Sequence, residues 1–314
     1  MKALFLATPE FAIKFLDQLT TICEVAFVVT NPDMPSGRGQ KITPSAVKTY
    51  ALKKGIKVLT PNNPDEIIPQ VKEANPDIIV TVAYGKLLKK DFFSLAKFGA
   101  LNVHFSLLPK YRGAAPIQWS IINGETSTGI TIFEIDEGMD TGPIYKQVKT
   151  EIMPSDDAKT LREKLVLLAV GALKETLLEI KNATVKKTPQ KGVPSYARIL
   201  TKKDAEIKIN SPAEEIHNKV RGLSLGPHPY VISSLKGKNL RVQILDTALV
   251  KDNFKGSNYK PGMIVNVERD LGFLVQCQSS LLLIKHVRPE GKNIISAWDF
   301  ANGYNLKAGD VFCV

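Results

Sequence analysis

DIIVTVAYG, residues 77–85, and ALNVHFS, residues 100–106, decide the fold. Each is a short apolar run rich in β-branched residues, and each reads as a buried strand rather than a helix. Upstream, KALFLA (2–7) reads as a first buried strand, FAIKFLDQLTT (11–21) has helical spacing and VAFVV (25–29) is a second strand. SAVKTYALKKG (45–55) then reads as a helix stopped by Gly55, before KVLT (57–60) and PDEIIPQVKEA (64–74) repeat the pattern. Short strands alternating with helices imply an α/β domain with a doubly wound, mostly parallel sheet of Rossmann type. Ligands of such sheets bind beyond the carboxyl ends of the strands, where the strand order reverses. VTVAYG and LNVHFS both end there. Asn102 and His104 lie two apart on one strand, so their side chains point the same way and can aim an amide and an imidazole into one cleft.

Downstream, GITIFEI (129–135) is a further strand ending in the loop from Asp136 to Gly142, and a mainly helical segment from Asp156 to Ile180 closes the domain. We expect a catalytic domain over residues 1–188, a basic linker over 189–207 punctuated by Pro189 and Pro194, and a C-terminal domain over 208–314. That last part begins with a helix, PAEEIHNKVRGL (212–223). Short apolar runs broken by Gly, Asn and Pro follow, the pattern of a small OB-like β-barrel.

Composition narrows the function classes. A chain of 314 residues with 44% hydrophobic content is long enough for two cores. Cys23, Cys277 and Cys313 are far apart and form no CxxC, which disfavours a disulfide framework and a zinc site. GRG at 37–39 lacks the third glycine and the strand-to-helix setting of a dinucleotide fingerprint, and no GxxxxGK[ST], HExxH or GxSxG occurs. Pro9 and Glu10 interrupt the first apolar run, and LVLLAVGAL (165–173) falls well short of the roughly 20 residues of a membrane span. A metal-free, cytoplasmic protein is the expectation.

The net charge of +11 is unevenly spread. Residues 1–180 hold 21 basic against 20 acidic side chains, 181–200 hold five basic and no acidic ones, and 201–314 hold 16 against 11. A near-neutral catalytic half joined to a basic linker and tail suggests a polyanionic partner held away from the reaction centre. A merely lysine-rich, solvated surface gives the same count.

Five segments carry a family likeness: ATPEFA (7–12), NPDMPSGRGQK (31–41), VAYGKLL (82–88), NVHFSLLPKYRGAAPIQW (102–119) and DEGMDTGPI (136–144). With them the chain resembles the N10-formyltetrahydrofolate-dependent transformylases over most of its length. The resemblance implies transfer of a formyl group from 10-formyltetrahydrofolate to an amine, with Asn102, His104 and Asp140 as catalytic residues. Asn102 would donate its amide to the formyl oxygen. His104 would assist as an oxyanion donor and in proton movement, and Asp140 would favour the charged imidazole, as a carboxylate within about 4 to 6 Å does. Ser106, Leu107, Leu108 and Pro109 would wall the folate pocket, with Val82, Ala83, Tyr84, Gly85 and Asp136 contributing to the pterin end.

NPDMPSGRGQK resembles the basic insertion of the family members that act on initiator methionyl-tRNA, and Arg38 and Lys41 would contact the acceptor stem. The same resemblance implies the tRNA and the folate as partners, and a monomer that meets no membrane is the expectation. Phe105 and His228 depart from it, standing where relatives often carry a small residue and a tryptophan. Taken singly, Asn102 reads more readily as a turn former, His104 as a packed or surface histidine and Asp140 as the start of an Asx turn. Two enzymatic alternatives remain: a transformylase acting on a small amine such as a nucleotide sugar, and a deformylating hydrolase using the same three residues. A noncatalytic RNA-binding protein is the alternative from another class.

Overall fold

The computed structural model describes residues 1–36, 41–235, 237–250 and 259–313. Two compact units emerge. The first comprises Met1–Pro116, Ser127–Glu151 and Arg162–Arg198, and the second Ile117–Thr126, Ile152–Leu161 and Ile199–Val314.

The first unit is built on strands β1 (Lys2–Ala7), β2 (Glu24–Val29), β5 (Val58–Leu59), β6 (Ile78–Val82), β7 (Ala100–His104), β8 (Ser127–Glu134) and β9 (Ile144–Glu151). They lie in the order β5-β2-β1-β6-β7-β8-β9. Pairing is parallel from β5 to β7 and antiparallel for β7 with β8 and β8 with β9. The chain therefore winds outward from β1 through β2 to β5, then returns to the other side of β1 as β6. That reversal opens a crevice at the carboxyl ends of β1 and β6. Ala3 to Ala7 and all of β6 are buried, which explains why those strands read as unbroken apolar runs.

Crossovers are made by α1 (Ile13–Thr20), α2 (Ala46–Lys53), α3 (Ile68–Ala74) and α4 (Lys90–Phe93). α2 starts where Ser45 Oγ accepts the Lys48 N–H at 3.0 Å, and Gly55 at φ +73° ends the turn after it, as expected. Several elements are not evident in the sequence, the short α4 among them. β9 is another; its IYKQVKTE is largely polar, with Gln147, Lys149 and Glu151 exposed. So is α5 (Pro116–Ile122). In and just beyond NPDMPSGRGQK, β3 (Met34–Ser36) and β4 (Lys41–Thr43) pair antiparallel. The long helix α6 (Ala158–Lys181) matches the mainly helical reading of 156–180.

The second unit holds α7 (Ala213–Gly222) and an antiparallel sheet of β10 (Tyr230–Leu235), β11 (Lys238–Leu249), β12 (Ile264–Glu268), β13 (Gly272–Gln276) and β14 (Leu281–Pro289), with β15 (Ile295–Ser296) beside β14. The sheet order is β10-β11-β14-β13-β12. It curls around a core of Val242, Ile244, Ile264, Phe273, Val275, Ile284 and Val287. A helix absent from the sequence reading, α8 (Ala297–Tyr304), completes that core. Ser296 Oγ caps it by accepting the Asp299 N–H at 2.9 Å, and its Phe300 sits 6.3 Å from Phe273 and 6.1 Å from Phe312 between ring centroids. Among the described residues no helix is long and apolar enough to cross a membrane.

Candidate active site

A cleft of about 500 Å³ opens over the ends of β6 and β7. Thr81, Asn102 and Phe133 form one row of its floor, because they are register neighbours on β6, β7 and β8. His104 is the next residue of β7 on that face. Ala83, Tyr84 and Gly85 line one side, with Leu88 beyond them; Ile135, Asp136, Met139 and Asp140 line the other. Burial holds the Tyr84 phenol protonated by pushing it up to about 12.

Asn102 is half-buried, and its Oδ1 accepts the Thr81 hydroxyl at 2.8 Å. Fixing the oxygen in this way leaves the amide NH2 as the donor available to a ligand. Thr81 was not singled out in the sequence, since a threonine in a β-branched strand looks like any other strand former.

His104 is 5% exposed, with a polar neighbour at each ring nitrogen. Its Nε2 lies 2.9 Å from the Tyr111 carbonyl, which makes Nε2–H the donor, and its Nδ1 lies 3.5 Å from Asp140 Oδ2. Asp140 pushes the imidazole toward its charged form, as expected from the sequence. Burial outweighs it, however, and the net effect holds the His104 pKa below its ordinary value. The resting imidazole is therefore neutral at neutral pH, and Asp140 acts on the charged form once a proton arrives.

Asp140 is placed by its loop. Its backbone is left-handed at φ +53°, and its Oδ2 also accepts the Gly113 N–H at 2.7 Å. Asp136 braces the same loop by accepting the Gly138 N–H at 3.0 Å and the Thr141 hydroxyl at 2.5 Å. Gly142 is needed for close approach, since a Cβ there would lie 1.8 Å from the Glu134 carbonyl oxygen.

The structure thus brings Asn102, His104, Asp140, Ala83, Tyr84, Gly85 and Asp136 to one cleft. Val82 and the segment Ser106–Pro109 lie off its lining. Val82 closes β6 within the buried sheet. Ser106 donates to the Lys110 carbonyl at 2.6 Å, and Leu108 packs with Phe133 and Ile144. Phe105 does line the cleft; its ring meets Phe11 edge-on at 5.6 Å and Phe15 at 6.5 Å. Arg38 lies outside the described residues, and Lys41 is described through its backbone pairing with Ser36. The three cysteines are buried, and burial pushes Cys277 and Cys313 up to about 12, so neither thiol is poised as a nucleophile.

An amide donor, a neutral imidazole and a carboxylate around a cleft, with no cysteine or serine among its described lining residues, suit direct transfer of an acyl group to an incoming amine. Residues 1–177 match the formyl transferase family and residues 199–305 the formyl transferase C-terminal domain. The chain belongs to the formyl transferase family. It is similar to methionyl-tRNA formyltransferase of Elusimicrobium minutum, 42% identical with 99% of each chain covered. The enzyme of that name from Thermodesulfovibrio yellowstonii is 40% identical, covering 98% of this chain and 97% of its own. Among solved structures, the fold is similar to that of an N-formyltransferase from Helicobacter canadensis, with a TM-score of 0.62 and 23% identity over 90% of this chain and 98% of that one.

Proposed function

We propose that this enzyme transfers the formyl group of 10-formyltetrahydrofolate to the α-amino group of methionine on initiator methionyl-tRNA, giving formylmethionyl-tRNA for translation initiation. The observation that carries the reading is the convergence of Asn102, His104 and Asp140 on one cleft. Near-complete coverage of the methionyl-tRNA formyltransferases supports the choice of acceptor.

The neutral amine attacks the formyl carbon, the carbonyl oxygen gains negative charge, and the bond to folate N10 then breaks. Asn102 Nδ2–H stabilises that oxygen, its geometry set by Thr81. The amine must shed a proton and N10 must gain one. His104 Nδ1 is the ring nitrogen suited to carry it, since Nε2–H is committed to the Tyr111 carbonyl. The imidazolium formed in passing is stabilised by Asp140, 3.5 Å from Nδ1. Ala83–Gly85 and Asp136 offer the pterin backbone and carboxylate partners, while Leu88, Phe133 and Ile135 give it apolar walls. We assign Val82 and Ser106–Pro109 the support of those walls, through Leu108 packed on Phe133.

For the tRNA, Arg38 and Lys41 of the 31–41 segment engage the acceptor stem. The second unit supplies a groove of about 190 Å³ in whose lining Arg241, Arg288 and Lys292 outnumber Glu290. The Arg241 guanidinium stacks on the Tyr230 ring at 3.8 Å, an arrangement suited to RNA phosphate and base. We assign residues 1–188 to catalysis, 208–314 to tRNA binding and 189–207 to the segment that joins them in sequence, in a monomeric cytoplasmic enzyme. Formyl transfer from labelled 10-formyltetrahydrofolate to charged initiator tRNA tests the proposal, with uncharged tRNA and a folate-only control. Label on the methionyl-tRNA is expected. Label released as formate would point instead to a hydrolase, and label on neither to an RNA-binding protein.

A further inference from the structure

The stretch TPQKGVPSYAR, residues 188–198, reads in sequence as part of a basic tether. In the structure it is tied to both loops that hold His104. Gln190 uses its whole carboxamide: Nε2 donates to the Asp140 carbonyl at 2.8 Å and the Gly142 carbonyl at 2.9 Å, while Oε1 accepts from Arg112 Nη2 at 2.6 Å and Nε at 3.3 Å. Arg112 lies between Tyr111, whose carbonyl faces His104 Nε2, and Gly113, whose N–H holds the Asp140 carboxylate. One side chain therefore fastens the Tyr111–Gly113 turn to the Asp140–Gly142 turn.

Ser195 adds a second fastening. Its Oγ accepts the Tyr111 N–H at 2.9 Å and its carbonyl accepts the Arg112 N–H at 2.8 Å. Next to it, the Ala197 N–H donates to the Arg112 carbonyl at 2.7 Å, and a Cβ on Gly113 would sit 2.8 Å from the Ala197 oxygen. The two residues pinned in this way, Tyr111 at φ +60° and Asp140 at φ +53°, occupy left-handed backbone that side-chain-bearing residues avoid. Such conformations persist only where the surroundings over-determine them.

We infer that Gln190, assisted by Ser195, is a positioning residue for the His104–Asp140 pair, and that residues 188–198 act as a strap of the catalytic apparatus. Neither side chain lines the cleft, so each acts through the groups it holds. The inference rests on the proposed reaction. Misplacing a reacting group by about 1 Å costs on the order of 100-fold in rate. Of the ionisable groups lining the cleft, namely Tyr84, Lys86, Asp136 and Asp140, it is Asp140 that acts on His104, and it does so by raising the imidazole pKa.

The test is Gln190→Met, which keeps the length and removes every hydrogen bond, assayed in the full chain with methionyl-tRNA and 10-formyltetrahydrofolate. We expect kcat to fall roughly 10- to 100-fold, KM for both substrates to stay within about twofold, and the acid limb of the pH–rate profile to move to lower pH as Asp140 swings away. A wild-type kcat, or a loss confined to KM with the pH profile unmoved, would overturn the inference. Should Gln190→Met fail to fold, Ser195→Ala decides in its place. It should show a smaller loss with the same direction of pH shift, and Ser195→Thr should restore activity; wild-type behaviour in Ser195→Ala would refute the strap. Wild-type enzyme that moves no label to methionyl-tRNA would instead count against the proposed function.

Discussion

Truncating Asn102 to Ala should separate chemistry from folding more cleanly than any other change in the cleft. The folding cost is small, because Asn102 is half-buried, so its removal opens no core cavity. The Thr81 hydroxyl, its partner at 2.8 Å, retains a second acceptor in the Leu101 carbonyl at 3.2 Å. Loss of one neutral hydrogen bond with no donor orphaned costs about 1 kcal/mol or less. The catalytic cost is larger. Removing an oxyanion donor typically lowers kcat by roughly 100- to 1,000-fold, or about 2.7–4 kcal/mol of barrier. Single-turnover transfer at saturating donor, read beside a thermal melt and filter binding of methionyl-tRNA, should therefore show a collapsed rate, a nearly unchanged melting temperature and unchanged tRNA affinity. A rate within about threefold of wild type would refute the assignment of Asn102 to the formyl oxygen. Equal losses in rate and stability would refute the argument that Thr81 is left satisfied.

Other consequences are as specific. Gly142→Ala places a Cβ 1.8 Å from the Glu134 oxygen, so the loop must move and drag Asp140 with it; denaturant titration should show a loss of roughly 2 kcal/mol or more, accompanied by lost activity. Phe300→Ala, in the core of the second unit against Phe273 and Phe312, should cost about 3–5 kcal/mol of stability in the same measurement. His217 is held to about 4 by burial first and by Arg221 second. Its folded value lies below the unfolded one, so its contribution is complete above about 6.5 and is lost as pH falls toward 4, a slope in melting temperature that His217→Gln should flatten. Replacing Arg241 and Arg288 with Ala should weaken tRNA binding and reduce its salt slope by about 1 for each phosphate no longer neutralised, whatever the tRNA sequence.

Which features were legible follows from how far each depends on distant partners. β1 and β6 could be read because two-sided burial writes itself as nearly continuous apolar sequence. Asn102 and His104 could be placed because a two-residue spacing on a strand fixes a shared face. β9 could not, because IYKQVKTE has few apolar residues and mostly Lys, Gln, Thr and Glu between and after them, and α8 could not, because AWDFANGY is short and its Asn and Gly mimic a turn. Gln190 was hidden for a different reason. Its neighbours are Pro, Lys and Gly, the vocabulary of a tether, and its partners come from segments about 50 and 78 positions away. The neutral resting state of His104 was equally invisible, since it depends on burial outweighing a carboxylate the sequence already pointed to.

The backbone explains why the site needs that distant support. Seven described residues other than glycine have positive φ, and three of them, Ala83, Tyr111 and Asp140, serve the cleft. The pairings of β6 with β7 and of β7 with β8 present Thr81, Asn102 and His104 in unbroken register, so the strain lies in the loops that complete the site. Each loop does something a regular strand cannot. Tyr111 turns a carbonyl onto Nε2, Asp140 turns a carboxylate toward Nδ1, and Ala83 carries the chain off β6 along the cleft wall. A buried histidine flanked at both nitrogens can take up and release a proton with little rearrangement, provided neither loop relaxes. The rigid half of this active site is therefore written in the strands, and the adjustable half is held by the residues that arrive last in the first unit, Gln190 and Ser195.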